Sequence, residues 1–383
     1  MKIAVVGAGG FGQHYVKFAL KKMNEGVEFV GVVEKYYDTC VTKPMLDEAG
    51  VPAYASMEEL YEHTTPDLVL IATPPFLHKE QSIYALSRGS YVLCEKPIAP
   101  TCEDAEEMIA AQEKYGKWIA IGYQWSYAEN LKRLKKDILD GKLGSPVRFS
   151  TFASWYRKKP YYARGGGWGG RISKDGIIIL DSIASNACAH HLMNMLFLLG
   201  EKMEQTAKFA GAKVECLRAN NIENFDTCTL RMVTDKGIPF DFYGTHASDV
   251  NNGPDMVLEF ENGVVRCEAI GKDRNLIAYM KDGSVINYGG APNADSMDKA
   301  QQCIDAIENG TYPVCDAASA AEHTKIINEI YKHVTINDIP TNMKIDTEES
   351  VYVPGLYEKL HEAYVKRISL AEVGYDFSKV YEF

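Results

Sequence analysis

Met1-Lys2-Ile3-Ala4-Val5-Val6-Gly7-Ala8-Gly9-Gly10-Phe11-Gly12 decides how the rest of the chain is read. Four apolar residues, Ile3 to Val6, run into a glycine cluster of the form G-x-G-x-x-G, and Gly12 opens a stretch to Lys22 with helical spacing. Strand, tight turn and helix in that order give the cluster its meaning as a phosphate-binding loop. Gly7 permits the bend, Gly9 lets backbone approach a pyrophosphate, and Gly12 lets helix pack on strand. With Gly10 and Phe11 between them, the loop presents helix N–H groups and the positive end of a helix dipole to phosphate. The next apolar run, Phe29 to Val33, ends in Glu34, 22 residues after Gly12. A carboxylate there accepts from both ribose hydroxyls of NAD and repels the 2′-phosphate of NADP, which points to NAD. Lys35 would bind that phosphate if Glu34 turned away, and a solvated strand end is the plain alternative.

The same grammar continues. Leu68 to Ala72, Tyr91 to Leu93 and Trp118 to Ile121 are short apolar runs, and Ser56 to His63, Leu77 to Arg88 and Cys102 to Tyr115 have helical spacing. Thr101 is an expected N-cap, and Gly89 and Gly116 stop two helices. Repeated βαβ units imply an α/β fold with a doubly wound parallel sheet. After Gly122 the pattern changes. A charged helix from Glu129 to Leu139, a strand from Val147 to Tyr156, a Gly/aromatic loop from Lys158 to Gly170 and a helix from about Asn186 to Leu199 lead into strand alternation from Thr206 to Tyr288. Asp235-Lys236-Gly237, Asn251-Asn252-Gly253, Glu261-Asn262-Gly263 and Lys281-Asp282-Gly283 read as turns of a large, open, mostly antiparallel sheet. Helices near Met297 to Glu308 and Ala317 to His333 close the reading. The expected domains are residues 1–122 and 123–383.

The 383 residues are 46% apolar and 24% charged, ample for a globular core. Forty-one Lys+Arg against 52 Asp+Glu leave a net charge of −11, which argues against nucleic acid and anionic membrane as partners. Nine scattered cysteines with no Cys-x-x-Cys read as reduced packing residues, and the histidines show no metal spacing, so no metal is expected. With no signal-peptide pattern and no long apolar run, the expected location is the cytoplasm.

Asp67-Leu68-Val69-Leu70-Ile71-Ala72-Thr73-Pro74-Pro75, then His78, then Val92-Leu93-Cys94-Glu95-Lys96-Pro97 resemble successive motifs of the glucose-fructose oxidoreductase, inositol dehydrogenase and rhizopine-catabolism (Gfo/Idh/MocA) family. The resemblance is close over the N-terminal domain, continues through Gly141-x-x-Gly144 and loosens over the C-terminal sheet. It implies a Rossmann domain followed by an α/β domain whose open sheet builds homodimers or homotetramers, and small-molecule substrates such as sugars and cyclitols. It assigns Thr73, Pro74, His78, Glu95 and Lys96 to the cofactor side, with Lys96 also reaching the reacting hydroxyl. Physics agrees on Lys96: a cation beside a hydroxyl losing proton and hydride stabilises oxyanion character. A surface lysine before a turn proline is the plain alternative.

The family's third signature is an aspartate followed four residues later by a histidine at a helix start. Counting back from Gly200, His190 takes the histidine position and Asn186 that of the aspartate, while Asp181 lies five residues earlier. Asparagine orients an imidazole without stabilising its charge, so either Asn186 or Asp181 is the assisting group. His190 shares a polar row with Asn186 and Asn194, and His191 faces an apolar stripe. A core histidine is the alternative for His190. In the Gly/aromatic loop, Tyr162, Arg164, Trp168 and Arg171 suit a polyol pocket, and equally a subunit contact. Tyr123 and Gln124 face the same cleft if the family geometry holds. The expected activity is NAD-dependent oxidoreduction at a secondary hydroxyl of a sugar, cyclitol or polyol. Redox-assisted glycoside cleavage with recycled NAD and a non-catalytic NAD-responsive regulator are the rivals.

Overall fold

The computed structural model describes residues 1–270, 273–290 and 297–383. The chain divides into two compact units, Met1–Ala128 with Pro292–Ala321, and Glu129–Ala291 with Glu322–Phe383.

In the first unit the described residues form six strands: β1 (Lys2–Val6), β2 (Glu28–Val33), β3 (Ala53–Tyr54), β4 (Leu68–Ile71), β5 (Tyr91–Cys94) and β6 (Ile119–Ile121). Every pairing is parallel, in the order β3-β2-β1-β4-β5-β6. Apart from the two-residue edge strand β3, the strands are buried almost end to end, as a sheet with helices on both faces requires. The helices α1 (Gly12–Met23), α2 (Lys43–Glu48), α3 (Met57–His63), α4 (His78–Ser87) and α5 (Cys102–Tyr115) complete the βαβ pattern. The Thr101 hydroxyl accepts the Asp104 N–H at 3.1 Å to start α5, and Gly116 ends it at φ +65°. Strand β3 has two residues, too few to leave a readable run.

The first unit also takes back Pro292–Ala321, which the cut after Gly122 had assigned to the second domain. Ala300, Cys303, Ile304 and Ala306 of the helix Asp298–Asn309 are buried in one cluster with Tyr15, Val16, Ile3 and Leu70. An amphipathic stripe records that a face is buried, and not which core it enters.

In the second unit ten strands of the described residues share one sheet. From one edge they run Val285–Gly290, Asp273–Met280, Gly263–Ile270, Asn252–Phe260, Pro146–Ser154, Pro239–Thr245, Thr227–Thr234, Phe209–Arg218 and Asn337–Asp338, with Tyr381–Glu382 also against Phe209–Arg218. The pairings are antiparallel except Pro146–Ser154 with Pro239–Thr245 and Phe209–Arg218 with Asn337–Asp338. Three of the four expected turns join neighbouring strands. The fourth, Asn251-Asn252-Gly253, is instead the start of a strand. The helix Leu356–Lys366, which the sequence left unread, packs Leu356, Leu360 and Ala363 with Phe152 and Tyr243. Among the described residues no helix is long and apolar enough to cross a membrane.

Candidate active site

The glycine loop is fixed by backbone sterics. Gly7 has φ +82° and its N–H donates to the Val33 carbonyl at 2.9 Å. A Cβ on Gly12 would lie 1.8 Å from the Gly7 carbonyl oxygen, so only glycine fits there. A Cβ on Gly9 or Gly10 would meet nothing within 4 Å, and the first turn of α1 carries no acidic residue. That combination, an open backbone cradle at an uncharged helix start, fits a pyrophosphate. Glu34 is tied to the loop: Oε2 accepts the Ala8 N–H at 2.9 Å and Oε1 the Tyr36 N–H at 3.0 Å. It braces the loop, and each oxygen keeps a lone pair for a ribose hydroxyl. The donor set therefore fits NAD.

Thr73 and Pro74 follow β4, and the Thr73 hydroxyl donates to Gln81 at 2.5 Å. The Thr73 methyl lies 3.0 Å from where a Gly7 Cβ would stand, so this segment packs on the glycine loop. His78 departs from the expected cofactor contact. It is wholly buried, with Nε2 2.9 Å from the Thr73 carbonyl and Nδ1 2.9 Å from the Pro97 carbonyl. Burial lowers the ring's pKa, so the neutral ring donates to one of the two carbonyls while it packs between the segment after β4 and the segment after β5.

Glu95 is the hub of this unit. The Tyr15 hydroxyl donates to Oε1 at 2.6 Å, the Lys299 ammonium pairs with the same oxygen, and the Lys96 N–H reaches Oε2 at 3.3 Å. Burial pushes the Glu95 carboxyl up, but Lys299, the Tyr15 hydroxyl and Lys96 together outweigh burial and hold it below the usual carboxylate range. Lys299 is itself buried, 4.4 Å from the Phe11 ring centroid and 5.3 Å from that of Tyr15. A Cβ on Gly122 would lie 2.9 Å from Glu95 Oε1. The sequence reading missed Lys299. Its signal was there: Lys299, Cys303 and Ala306 share one stripe of the helix Asp298–Asn309, a lysine on the apolar face. Lys96 is half-buried directly after β5. Tyr123 is corrected: it is wholly buried, burial pushes its hydroxyl up, and Gln124 is buried too, so neither presents a face to substrate.

In the second unit the expected single helix from Asn186 is two pieces. Ile183–Ala187 is a π-type turn started by a Ser182/Ser185 capping box, and the α-helix Ala189–Leu198 begins after Cys188. Asn186 is therefore outside the helix of His190, and the four-residue stripe does not relate them. His323 Nε2 meets the Ala184 carbonyl at 3.0 Å and holds the turn. His190 is half-buried, whereas His191 is buried with Trp155 edge-on at 5.0 Å between ring centroids. Gly200 closes the helix because a Cβ there would lie 1.9 Å from the Gln205 carbonyl oxygen.

Asp181 gathers several of the expected residues. Its carboxylate accepts from Arg164 Nη2 at 3.0 Å to each oxygen, from the Gly170 N–H at 2.6 Å and from Asn186 Nδ2 at 2.8 Å. Asn186 and Asp181, the two alternatives for assisting His190, are thus joined. Arg164 is committed to Asp181 and lies between the rings of Tyr161 (3.9 Å) and Trp168 (4.4 Å). Exposed Arg171 pairs with half-buried Glu223 at 2.5 Å. Tyr162 is half-buried, and burial pushes its hydroxyl up strongly.

Residues 1–123 match the Gfo/Idh/MocA family model, described as an oxidoreductase family with an NAD-binding Rossmann fold. An inositol 2-dehydrogenase of Arthrobacter is 34% identical over 148 residues, 38% of this chain and 42% of the relative. A 2,7-anhydro-N-acetylneuraminate hydratase of Mediterraneibacter gnavus is 27% identical over 209 residues, 54% of this chain and 52% of the relative. The chain thus spans about half the length of the curated relatives it matches. The WlbA dehydrogenase of Bordetella pertussis, solved with NADH and UDP-GlcNAcA, shares the fold at TM-score 0.70 and 20% identity, covering 86% of this chain and 95% of that one.

Proposed function

Residues 1–123 being an NAD-binding Rossmann domain of the Gfo/Idh/MocA oxidoreductase family, we propose that the chain transfers hydride between NAD and a secondary hydroxyl carbon of a sugar, cyclitol or related polyol. The observation that carries this reading is the seat of Lys96. It follows β5 at the carboxyl end of a parallel sheet, and its neighbour Glu95 is locked to Tyr15 and Lys299. Open α/β sheets take ligands outside those strand ends. The names of the relatives, an inositol dehydrogenase and a hydratase of an anhydro sugar, support a polyhydroxylated substrate.

NAD, when bound, supplies the hydride acceptor. The Lys96 ammonium holds the substrate oxygen as it gains negative character. His190 exchanges that oxygen's proton, a task an imidazole performs near neutral pH. In this reading the group that assists His190 is the joined pair of Asn186 and Asp181, linked by a 2.8 Å hydrogen bond.

Lys96→Ala is expected to keep its fold and most of its NAD affinity while kcat falls about a hundredfold or more, the scale of one lost oxyanion donor. Near-normal turnover would remove Lys96 from the reaction. The hydratase relative favours a second reading, in which a sugar is transiently oxidised and bound NAD is restored within each turnover. A screen of free sugars, cyclitols and aryl glycosides separates the two: net oxidation accumulates the NADH absorbance, and recycling gives product without it.

A further inference from the structure

Among the buried polar side-chain atoms of the second unit without a hydrogen-bond partner among the described residues, three belong to neighbouring side chains: Arg157 Nε, the Tyr162 hydroxyl and His246 Nε2. Their three residues pack on one ring, that of Tyr161. Tyr161 has the Arg157 guanidinium 5.0 Å from its centroid, the Tyr162 ring at 5.2 Å and the His246 ring at 5.6 Å. Buried polar groups left unpaired cost about 1–3 kcal/mol each, so three around one side chain call for an explanation.

The chemistry of each atom is determined. Nδ1 of His246 lies 2.7 Å from the Trp155 carbonyl, which only accepts, so Nδ1 carries the proton. Burial, with Arg157 next in effect, lowers the ring's pKa to about 3, so it is neutral and Nε2 is a bare acceptor. Arg157 is a cation whose Nη1 makes a 3.3 Å contact with the Tyr156 carbonyl, and no carboxylate pairs with it among the described residues. The two nearby carboxylates are already taken. Asp181 is held by Arg164, Gly170 and Asn186, and Asp226 by the N–H groups of Ala219 and Asn220, the Asn220 amide and the Thr227 hydroxyl. What stays open is one cation, one hydroxyl and one acceptor.

A neutral polyol leaves that cation without a counter-charge. We propose that Arg157, Tyr162 and His246 form a subsite for a hydroxycarboxylate group, so that the substrate of the reaction proposed above is a sugar acid or polyhydroxy acid. Arg157 and the Tyr162 hydroxyl donate to the carboxylate, and a ligand hydroxyl donates to His246 Nε2. The subsite rests on the dehydrogenase reading for its place in a reaction, but its binding stands or falls separately.

The test is calorimetric titration of the NAD-loaded protein with D-glucuronate, D-galacturonate and D-gluconate, each against its neutral counterpart D-glucose, D-galactose or D-glucitol. At least one acid should bind about tenfold or more tighter than its counterpart, the scale of one charge-assisted hydrogen bond. Arg157→Gln should bring the pair to within about twofold. Tyr162→Phe removes only an unpartnered hydroxyl, so it should weaken the acid several-fold at unchanged Tm, and it decides the matter if Arg157→Gln does not fold. No preference for any acid in the unmodified protein overturns the subsite, as does a preference that survives in folded Arg157→Gln or in Tyr162→Phe. Turnover of neutral polyols without acid preference defeats the subsite and leaves the dehydrogenase reading. Tight acid binding without any redox change at NAD does the reverse.

Discussion

The glycine loop of the first unit and the Trp155–Arg171 segment of the second are held in shape by opposite means. In the loop the working groups are backbone N–H groups, and the sequence shows them as glycines where a side chain is forbidden: a Cβ on Gly12 would overlap the Gly7 carbonyl. In the second segment the working groups are side chains, and each is set by a partner distant in sequence. Arg164 is set by Asp181, Arg171 by Glu223, and Tyr161 packs on His246. Backbone function tolerates no substitution at a few positions, whereas side-chain function depends on a network that loosens by degrees.

The sharpest way to break that comparison is Gly12→Ala. It should abolish measurable NAD binding and cost about 4 kcal/mol or more, a loss expected only where a close contact cannot relax. Gly9→Ala, with open space around its Cβ, should keep its Tm and lose NAD affinity alone. Equal behaviour of the two variants in melting and NAD titration would refute a sterically fixed loop.

Next in size is Lys299→Met, which strands the buried Glu95 carboxylate and should cost about 3–5 kcal/mol in denaturant unfolding. The pH dependence follows from Glu95. Its carboxyl titrates lower in the folded chain than in the unfolded one, so the pair's stabilisation is present above the ordinary carboxylate pKa. It is lost as pH falls through the lower folded value. The stability gap between the unmodified protein and Glu95→Gln should therefore narrow on acidification, and a gap that widens would contradict the pairing.

Asp181→Ala should cost less, about 2 kcal/mol, because Arg164 keeps partial access to water while the Gly170 N–H loses its acceptor. Hydrogen exchange should speed up over residues 164–171 and remain unchanged in β1 to β6 of the first unit. Uniform exchange changes would show that the segment is not a local network. The smallest effect is expected at Glu34→Ala, where the preference for NAD over NADP should shrink by about tenfold, roughly 1.4 kcal/mol, in paired titrations. An unchanged preference would leave Glu34 as a brace for Ala8 and Tyr36 only.

The sequence by itself determined the features that are local. Parallel strands announced themselves as buried apolar runs, α5 by Thr101 and Gly116, and the nucleotide loop by glycines at a left-handed turn (Gly7) and at a position with no room for a Cβ (Gly12). Lys96 was legible because Glu-Lys-Pro sits directly after one of those strands. Tertiary structure alone decided which distant residues complete each site. It returned the helix of Lys299 to the first unit and placed that lysine against Glu95, 204 residues away. It buried Tyr123, set His78 between two carbonyls, and broke the helix before His190 so that Asn186 answers to Asp181. The physical reason is the same each time. Helix and strand periodicity record which face is buried over a few residues, but the partner of a buried charge is chosen by packing across the fold, where sequence separation carries no information.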